Sequence, residues 1–321
     1  MRSIGFITLI TFVLALASAD AFEPTKPVEI IVHSAPGGGS DLFARAIVEM
    51  LQQENLYTKP MAVINKSGGS GAVAMSHMAG KKGDNHTIGL FTSAVIFASL
   101  TQKEAQHTIQ DLTPIVHLVL EPSVAAVKAE APYKSMKDFV EAAKKSPGRL
   151  MQAGGVVTSV DNMFRLLIQK ATGAQWSYIN LVSGSDRVVN LLGGHMDLML
   201  ENPDKVSEYV RAGKMRVIAA LTEKRLSAFP DVPTILEQGI SIPILTQSRG
   251  VIAPPAAPGE VVSYWENLFS RLVKTPRWKK YVEENQQETH FLQSRELAKF
   301  LEEQTKLLRV VLKEAGVKAV R

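Results

Sequence analysis

The sequence predicts an α/β protein in two lobes, and three observations carry that prediction. Short apolar runs of strand length alternate with stretches of helical periodicity from residue 28 to residue 221. A glycine-rich loop in each half sits between such a run and such a stretch. The chain has 321 residues, 45% hydrophobic and 21% charged, which is ordinary globular composition and long enough for two separate cores. The alternation implies largely parallel sheets.

The elements follow in order. Arg2 precedes an apolar stretch from Ile4 to Leu16 and then small residues, with Ala17-Ser18-Ala19 or Ala19-Asp20-Ala21 fitting a cleavage site. The stretch is shorter than the ~20 residues a spanning helix needs, so residues 1–21 are expected to be a cleaved secretory signal and the mature protein to be periplasmic. Val28–Val32 is a strand that leads into "HSAPGGGSDLFARAI"; after it Leu42, Phe43, Ala46, Ile47, Met50 and Leu51 recur with helical spacing. Met61–Ile64, Ile88–Phe91, "PIVHLVL" and "SVAAVKA" are further strands. "YKSMKDFVEAAKKSPG" is a helix with a capping-box pair, Ser135 and Asp138, and a Pro-Gly stop. Strands recur at Leu150–Gln152, Ile179–Leu181, Met196–Leu200 and Val217–Leu221, with helical patterns at 161–172, 185–192 and 204–212 between them. After the proline-rich connection 253–260 the pattern is helical, over 258–274, 277–284 and 294–315.

Composition excludes several functions. With no cysteine there are no disulfides, thiolate metal sites or cysteine nucleophile. The net charge is +5, its charges interspersed as on solvated helix faces, and no basic stripe carries interleaved aromatics. Nucleic acid is therefore not expected as a partner. The seven histidines are scattered without H-E-x-x-H or H-x-H, and His33 and His195 read as structural or surface residues, so no metal is expected. "NKSGGSG" lacks a serine-hydrolase elbow because Ala72 stands where G-x-S-x-G needs glycine. Asp41, Asp161 and Asp197 are too dispersed to define an acid/base pair. No catalytic residues and no cofactor are expected.

The opening glycine loop matches neither G-x-G-x-x-G nor a P-loop, which would need a lysine for the phosphates. Its order is strand, three glycines, Ser40-Asp41, helix. Glycines let backbone approach a ligand closely, and the following helix presents free N–H groups and the positive end of its dipole. Two readings stand at this point: a cradle for a small carboxylate, or a tight turn in which Ser40 or Asp41 caps the helix. In the other half "MQAGGVVTSVDNMFRLLIQKATG" repeats the arrangement, with Gly154-Gly155, then Thr158-Ser159 and a helix. "NLVSGSDRVV" is a third polar loop before a helix. Two anion-ready helix starts, one per lobe, point to a cleft between them.

Over nearly all of the chain beyond Lys26 the sequence resembles the extracytoplasmic solute receptors of tripartite tricarboxylate transporters, the Bug family. The pieces that carry the resemblance are "KPVEIIVHSAPGGGSDLFARAI", "GKKGDNHTIGLFTSA", "LLGGHMDLML", "VRAGKMRVIAALTEKRLSAFPDVPTILEQGI" and "SRGVIAPPAAPGEVV", in that order and spacing. The resemblance implies a type II periplasmic-binding-protein fold, with lobe one from 22–123 and 248–321 and lobe two from 124–247. It implies a small organic carboxylate as ligand, held by Gly37, Gly38, Gly39, Ser40, Asp41, Thr92 and Ser93 from lobe one. Lobe two would supply Gly155, Thr158, Ser159, Asp161, Ser183 and Gly184, with Asn202 at the cleft edge. The chain departs from the family pattern at Ser248-Arg249-Gly250, where a tryptophan often precedes the arginine, at Asp161-Asn162, where a histidine is common, and at Val182-Ser183-Gly184. Arg249 reads either as a clamp on a second carboxylate or as a hinge salt bridge. The resemblance also implies a monomer that closes about a hinge near 121–125 and 245–250 and docks on a membrane permease. A sensory or scavenging receptor without its own permease is the alternative, and an exported hydrolase a more distant one.

Overall fold

The computed structural model describes residues 22–320 except Glu104, Val156, Thr158, Val182 and Ala315, so the expected signal at 1–21 and Thr158 lie outside the described residues. In the first half, β1 (Val28–Val32), α1 (Gly39–Gln53), β2 (Met61–Asn65), α2 (Ala72–Ala79), β3 (Thr87–Thr92) and α3 (Ser93–Thr101) lead to β4 (Thr113–Glu121). Only Pro122 and Ser123 separate β4 from β5 (Val124–Lys128), where the second sheet begins. That sheet is completed through α4 (Met136–Lys145), β6 (Met151–Gly154), α5 (Val160–Thr172), β7 (Ser177–Asn180), α6 (Gly184–Leu192), β8 (Leu198–Glu201), α7 (Pro203–Arg211) and β9 (Met215–Ala220). The chain then returns to the first sheet with β10 (Gln247–Ala253), followed by α8 (Gly259–Leu272), α9 (Pro276–Glu284), β11 (Glu288–Leu292) and α10 (Ser294–Glu314).

The first sheet has the order β11-β4-β10-β3-β1-β2 and the second β7-β6-β8-β5-β9. Each contains a parallel trio built by helical crossovers: β2-β1-β3 in one lobe, β7-β6-β8 in the other. The expectation of largely parallel sheets needs correcting, because both are mixed. β10 is antiparallel to β3 and β4, β11 to β4, and β5 to β8 and β9. A strand that arrives directly from the other lobe needs no covering helix, so its direction is set by where the crossover enters. In an open sheet the loops at the carboxyl ends of parallel strands form the ligand crevice. Both parallel trios aim those ends at the same space between the lobes.

The helix patterns expected at 161–172, 185–192 and 204–212 correspond to α5, α6 and α7. In α4 the Ser135 hydroxyl accepts from the Asp138 N–H at 3.0 Å while the Asp138 carboxylate accepts from the Ser135 N–H at 3.0 Å, a reciprocal cap. The elements the patterning misses are α2, α3, β10 and β11. All but the last residue of α3 are buried, leaving no polar face to mark a period. β11 pairs only with β4 and is half solvated, so "ETHFL" carries no alternation.

Apolar burial ties these layers together. Phe43, Ile47, Trp265, Phe269 and Trp278 pack under one face of the first sheet, and Val188, Leu191, Met199 and Val206 under one face of the second. The largest cluster runs from Ile31, Phe91 and Phe97 through Leu301, Leu308 and Val311 of α10 to Phe139, Phe164 and Trp176. α10 thus packs on β4 and α3 of one lobe and on α5 of the other. No helix among the described residues is long and apolar enough to cross a membrane.

Candidate functional site

A cleft of about 450 Å³ lies between the lobes, in the size range of small-ligand sites. Of the residues expected to bind ligand, Gly37, Gly38, Gly39, Ser40, Thr92, Gly155, Ser159, Asp161, Ser183, Gly184, Asn202 and Arg249 line it. Asp41 and Ser93 are buried and stand behind its wall.

The first glycine loop turns at Gly37, whose φ of 76° suits glycine. Asp41 braces it from behind. Its carboxylate accepts from the Gly37 N–H at 2.9 Å, from Asn65 Nδ2 at 3.1 Å and from Arg45 Nε at 3.1 Å. Those bonds, Arg45's first, hold the carboxyl below the usual range, with burial opposing. Asp41 makes no side-chain cap on its own helix. Ser93 likewise works structurally, accepting from the Ser248 N–H at 3.0 Å and joining α3 to the returning strand.

His33 follows β1 and belongs to the cleft wall, unlike the structural or surface role its isolation in sequence suggests. Its Nε2 lies 3.0 Å from both Ser40 Oγ and Thr92 Oγ1. Burial, with Arg249 adding to it, lowers its pKa to about 4, so the ring is neutral at pH 7. Arg249 projects from β10 past Gly39, where an added Cβ would stand 3.1 Å from its Nη2, and lies over the Phe43 ring at 5.7 Å. Its Nε donates to Glu121 Oε1 at 2.7 Å, and Gln247 and Gln287 donate to the same carboxylate at 2.5 and 2.6 Å. Burial is the largest influence on Arg249 and opposes its charge, but Glu121, Tyr281 and Asp204 together outweigh it and keep the guanidinium charged. The two readings of Arg249 are therefore not exclusive: Nε is spent on Glu121 at the end of β4, while the same side chain lines the cleft.

The second glycine loop is braced by a matching aspartate. Asp161 accepts from the Gly155 N–H at 2.9 Å and from the Tyr178 hydroxyl at 2.9 Å. Gly154 is required beneath it, because a Cβ would overlap both Asp161 and Tyr178. Burial and then Asp161 push the Tyr178 phenol far up, so it stays protonated as a donor. Ser159 Oγ sits 3.2 Å from that phenol. In the third loop Ser183 caps α6 by accepting from the Asp186 N–H at 3.1 Å. Arg187, one turn on, enters the cleft and forms an ion pair with Glu201 at the end of β8. Asn202 precedes α7, whose Lys205 also lines the cleft and pairs with Asp204 at 2.7 Å.

Sequence reasoning missed His33, Arg187, Glu201 and Lys205 as cleft groups, and Tyr178 as the support behind the second loop. A signal existed for Arg187, which lies four residues after the cap Ser183 and so on the same helix face. Glu201 and His33 are each the residue where a parallel strand opens into its loop, a position that marks the crevice once the sheet is known. The chemistry assembled is that of a binding site: glycine-loop amides, hydroxyls and three cationic side chains, Arg187, Lys205 and Arg249, beside Asp161 and Glu201. The helices α1, α3, α5, α6 and α7 also begin at this wall, adding positive dipole ends.

Residues 43–317 match the family model described as "Tripartite tricarboxylate transporter family receptor". A Cupriavidus necator protein called "UPF0065 protein in gbd 5'region" is 27% identical over 304 residues, 94% of this chain and 91% of the other. A solved "periplasmic transporter" superposes with a TM-score of 0.82 at 27% identity, covering 92% of this chain and 99% of that one. The structure of R. palustris Rpa4515 with adipate gives 0.84 at 23% identity, covering 92% and 99%.

Proposed function

Because this chain belongs to the tripartite tricarboxylate transporter receptor family, we propose that it is an exported, periplasmic receptor that captures a small di- or tricarboxylate between its lobes and delivers it to a membrane permease. The observation that carries the reading is the pairing of two largely buried arginines, Arg249 in one lobe and Arg187 in the other, each beside a glycine loop on one cleft. One carboxylate per arginine satisfies both ends, and arginine is suited to planar bidentate recognition. The adipate held by the R. palustris protein has that two-ended chemistry. Ligand contacts are assigned to Gly37, Gly38, Gly39, Ser40, Thr92, Gly155, Ser159, Ser183, Gly184, Asn202 and Arg249, with Asp41, Ser93 and Asp161 holding the loops.

A micromolar receptor needs about −8 kcal/mol, and a helix N-terminus supplies only roughly 0.3–2 kcal/mol toward an anion. The remainder comes from amide and guanidinium hydrogen bonds made where water is excluded. Closure therefore belongs to binding. Lobe one (22–123 and 248–321) and lobe two (124–247) move about the strands that join them, and the receptor acts as a monomer. A thermal-shift screen of mono-, di- and tricarboxylates tests the reading. Dicarboxylates should raise the melting temperature, by an amount equivalent to about 2.7 kcal/mol at one hundred times Kd. A screen in which no acid shifts the transition, or small-angle scattering with no compaction at saturation, would refute it.

A further inference from the structure

The two cleft ion pairs are built differently. Glu121 receives hydrogen bonds from Arg249, Gln247 and Gln287, two of them from β10, the strand that returns from the other lobe. Glu201 has fewer donors. Its Oε1 accepts from the Asn202 N–H at 3.1 Å and its Oε2 is held by Arg187 Nη2 alone, while Arg187 Nε is buried without a hydrogen bond. Arg187 Nη1 reaches only the Leu181 carbonyl, at 3.3 Å. Buried polar atoms without partners are rare and demand an explanation. The pair sits at the cleft wall beside Gly184, which has no side chain between them and the cleft: an added Cβ there would stand 3.6 Å from Arg187 Nη2, 3.8 Å from Glu201 Oε2 and 3.9 Å from Lys205 Cδ.

We propose that Arg187 is the anchor in the second lobe for a ligand carboxylate, that it turns from Glu201 to that carboxylate as the ligand enters, and that Glu201 takes up one proton from solvent in exchange. The proposal rests on the carboxylate reading of the cleft. Glu201 is 9% exposed, and a buried carboxylate that loses its counter-ion is far costlier than a neutral acid. Among the described residues the one other cation beside it, Lys205 of α7, is paired with Asp204. Asp161 faces it from α5, and the Tyr178 phenol of β7 is neutral. A second anion in the cleft adds to the repulsion. Burial already raises the Glu201 carboxyl, with Arg187 opposing, so losing Arg187 removes the main group that keeps it charged. The neutral acid gains an O–H that donates from Oε2 to the ligand, which replaces the contact Arg187 gives up. The balance is one ligand dianion and one proton bound, the proton coming from bulk water.

Linkage then requires affinity to fall as pH rises, by up to about tenfold per unit between the free and bound titrations of Glu201. Isothermal titration of the mature chain with succinate, malate, adipate, citrate and benzoate, in phosphate, imidazole and Tris at pH 7, gives the number of protons bound with each acid that binds. About one proton per ligand is expected for the wild type. Glu201→Gln should bind with none and with a flat profile from pH 6 to 8, and Arg187→Gln should bind at least tenfold more weakly with no uptake. An entering anion also favours a charged His33, so His33→Asn is the control and should still take up one proton. Binding by the wild type without proton uptake overturns the proposal even if no variant folds, and leaves the carboxylate reading intact. Uptake that survives Glu201→Gln, or disappears in His33→Asn, also overturns it. If none of the five acids binds, the carboxylate reading falls and the proposal with it.

Discussion

Asp41→Ala separates a brace from a helix cap. Asp41 is 2% exposed and holds the first glycine loop through the Gly37 N–H, while the Asn65 amide and Arg45 meet the same carboxylate. Truncation removes the acceptor of the Gly37 N–H and one of two acceptors of the half-buried Asn65 amide, which keeps the Ser34 carbonyl; Arg45, whose side chain is 55% exposed, simply returns to water. At about 0.5–1.5 kcal/mol net for each of the two lost hydrogen bonds, the expected loss of stability is about 1–3 kcal/mol. Binding should suffer as well. Gly37, Gly38 and Gly39 must then be ordered by the ligand, and at about 1 kcal/mol of backbone entropy each this weakens affinity by roughly 100-fold. Urea denaturation measures the first quantity, and titration calorimetry with the tightest acid from the carboxylate screen measures the second. The Arg45 bond leads the causes that depress the Asp41 carboxyl. Its contribution is therefore full above the unfolded value and lost as pH falls through the lower folded one, so wild type and variant should converge in stability only below about pH 4. A variant that loses stability but binds ligand with unchanged affinity would refute the argument that Asp41 preorganises the cradle.

Three further outcomes are expected. Gly154→Ala should abolish ligand-induced thermal shifts and cost about 1–3 kcal/mol, because its methyl displaces Asp161 and Tyr178 from the second loop; a chemical melt reads the cost, and normal binding would contradict it. His117 is fully buried, and burial lowers its pKa to about 4. The unfolded chain then binds more protons, so stability should be complete above pH 6.5 and fall by about 3 kcal/mol by pH 4, and His117→Asn should flatten that slope in pH-stepped urea melts. Leu308→Ala on α10 should cost about 2–5 kcal/mol within a single cooperative transition, since its cluster spans both lobes; two separated transitions in calorimetry would show that α10 does not couple them.

The amphipathic segments were legible in the sequence because their burial is one-sided. α1, α4, α5, α6 and α7 each present an apolar face that repeats at helical spacing, and Ser135 with Asp138 marks a start by local hydrogen bonding alone. α3 and β11 were not, for opposite reasons: one is buried on all sides, the other is solvated at a sheet edge. In the cleft the glycine loops were legible for the same local reason, a strand followed by flexible residues and a helix start.

By itself the sequence determined the α/β class, the two anion-ready loops and the family, because strand runs, helix periods, glycines and caps depend on neighbours within a few residues. Tertiary structure decided the rest. It turned Asp41 and Ser93 away from the cleft as braces, brought His33 into its wall, and set Arg187 against Glu201 and Arg249 against Glu121. Those pairs join residues from different strands and helices, and which charges share a buried space follows only from how the crossovers between the two sheets place them.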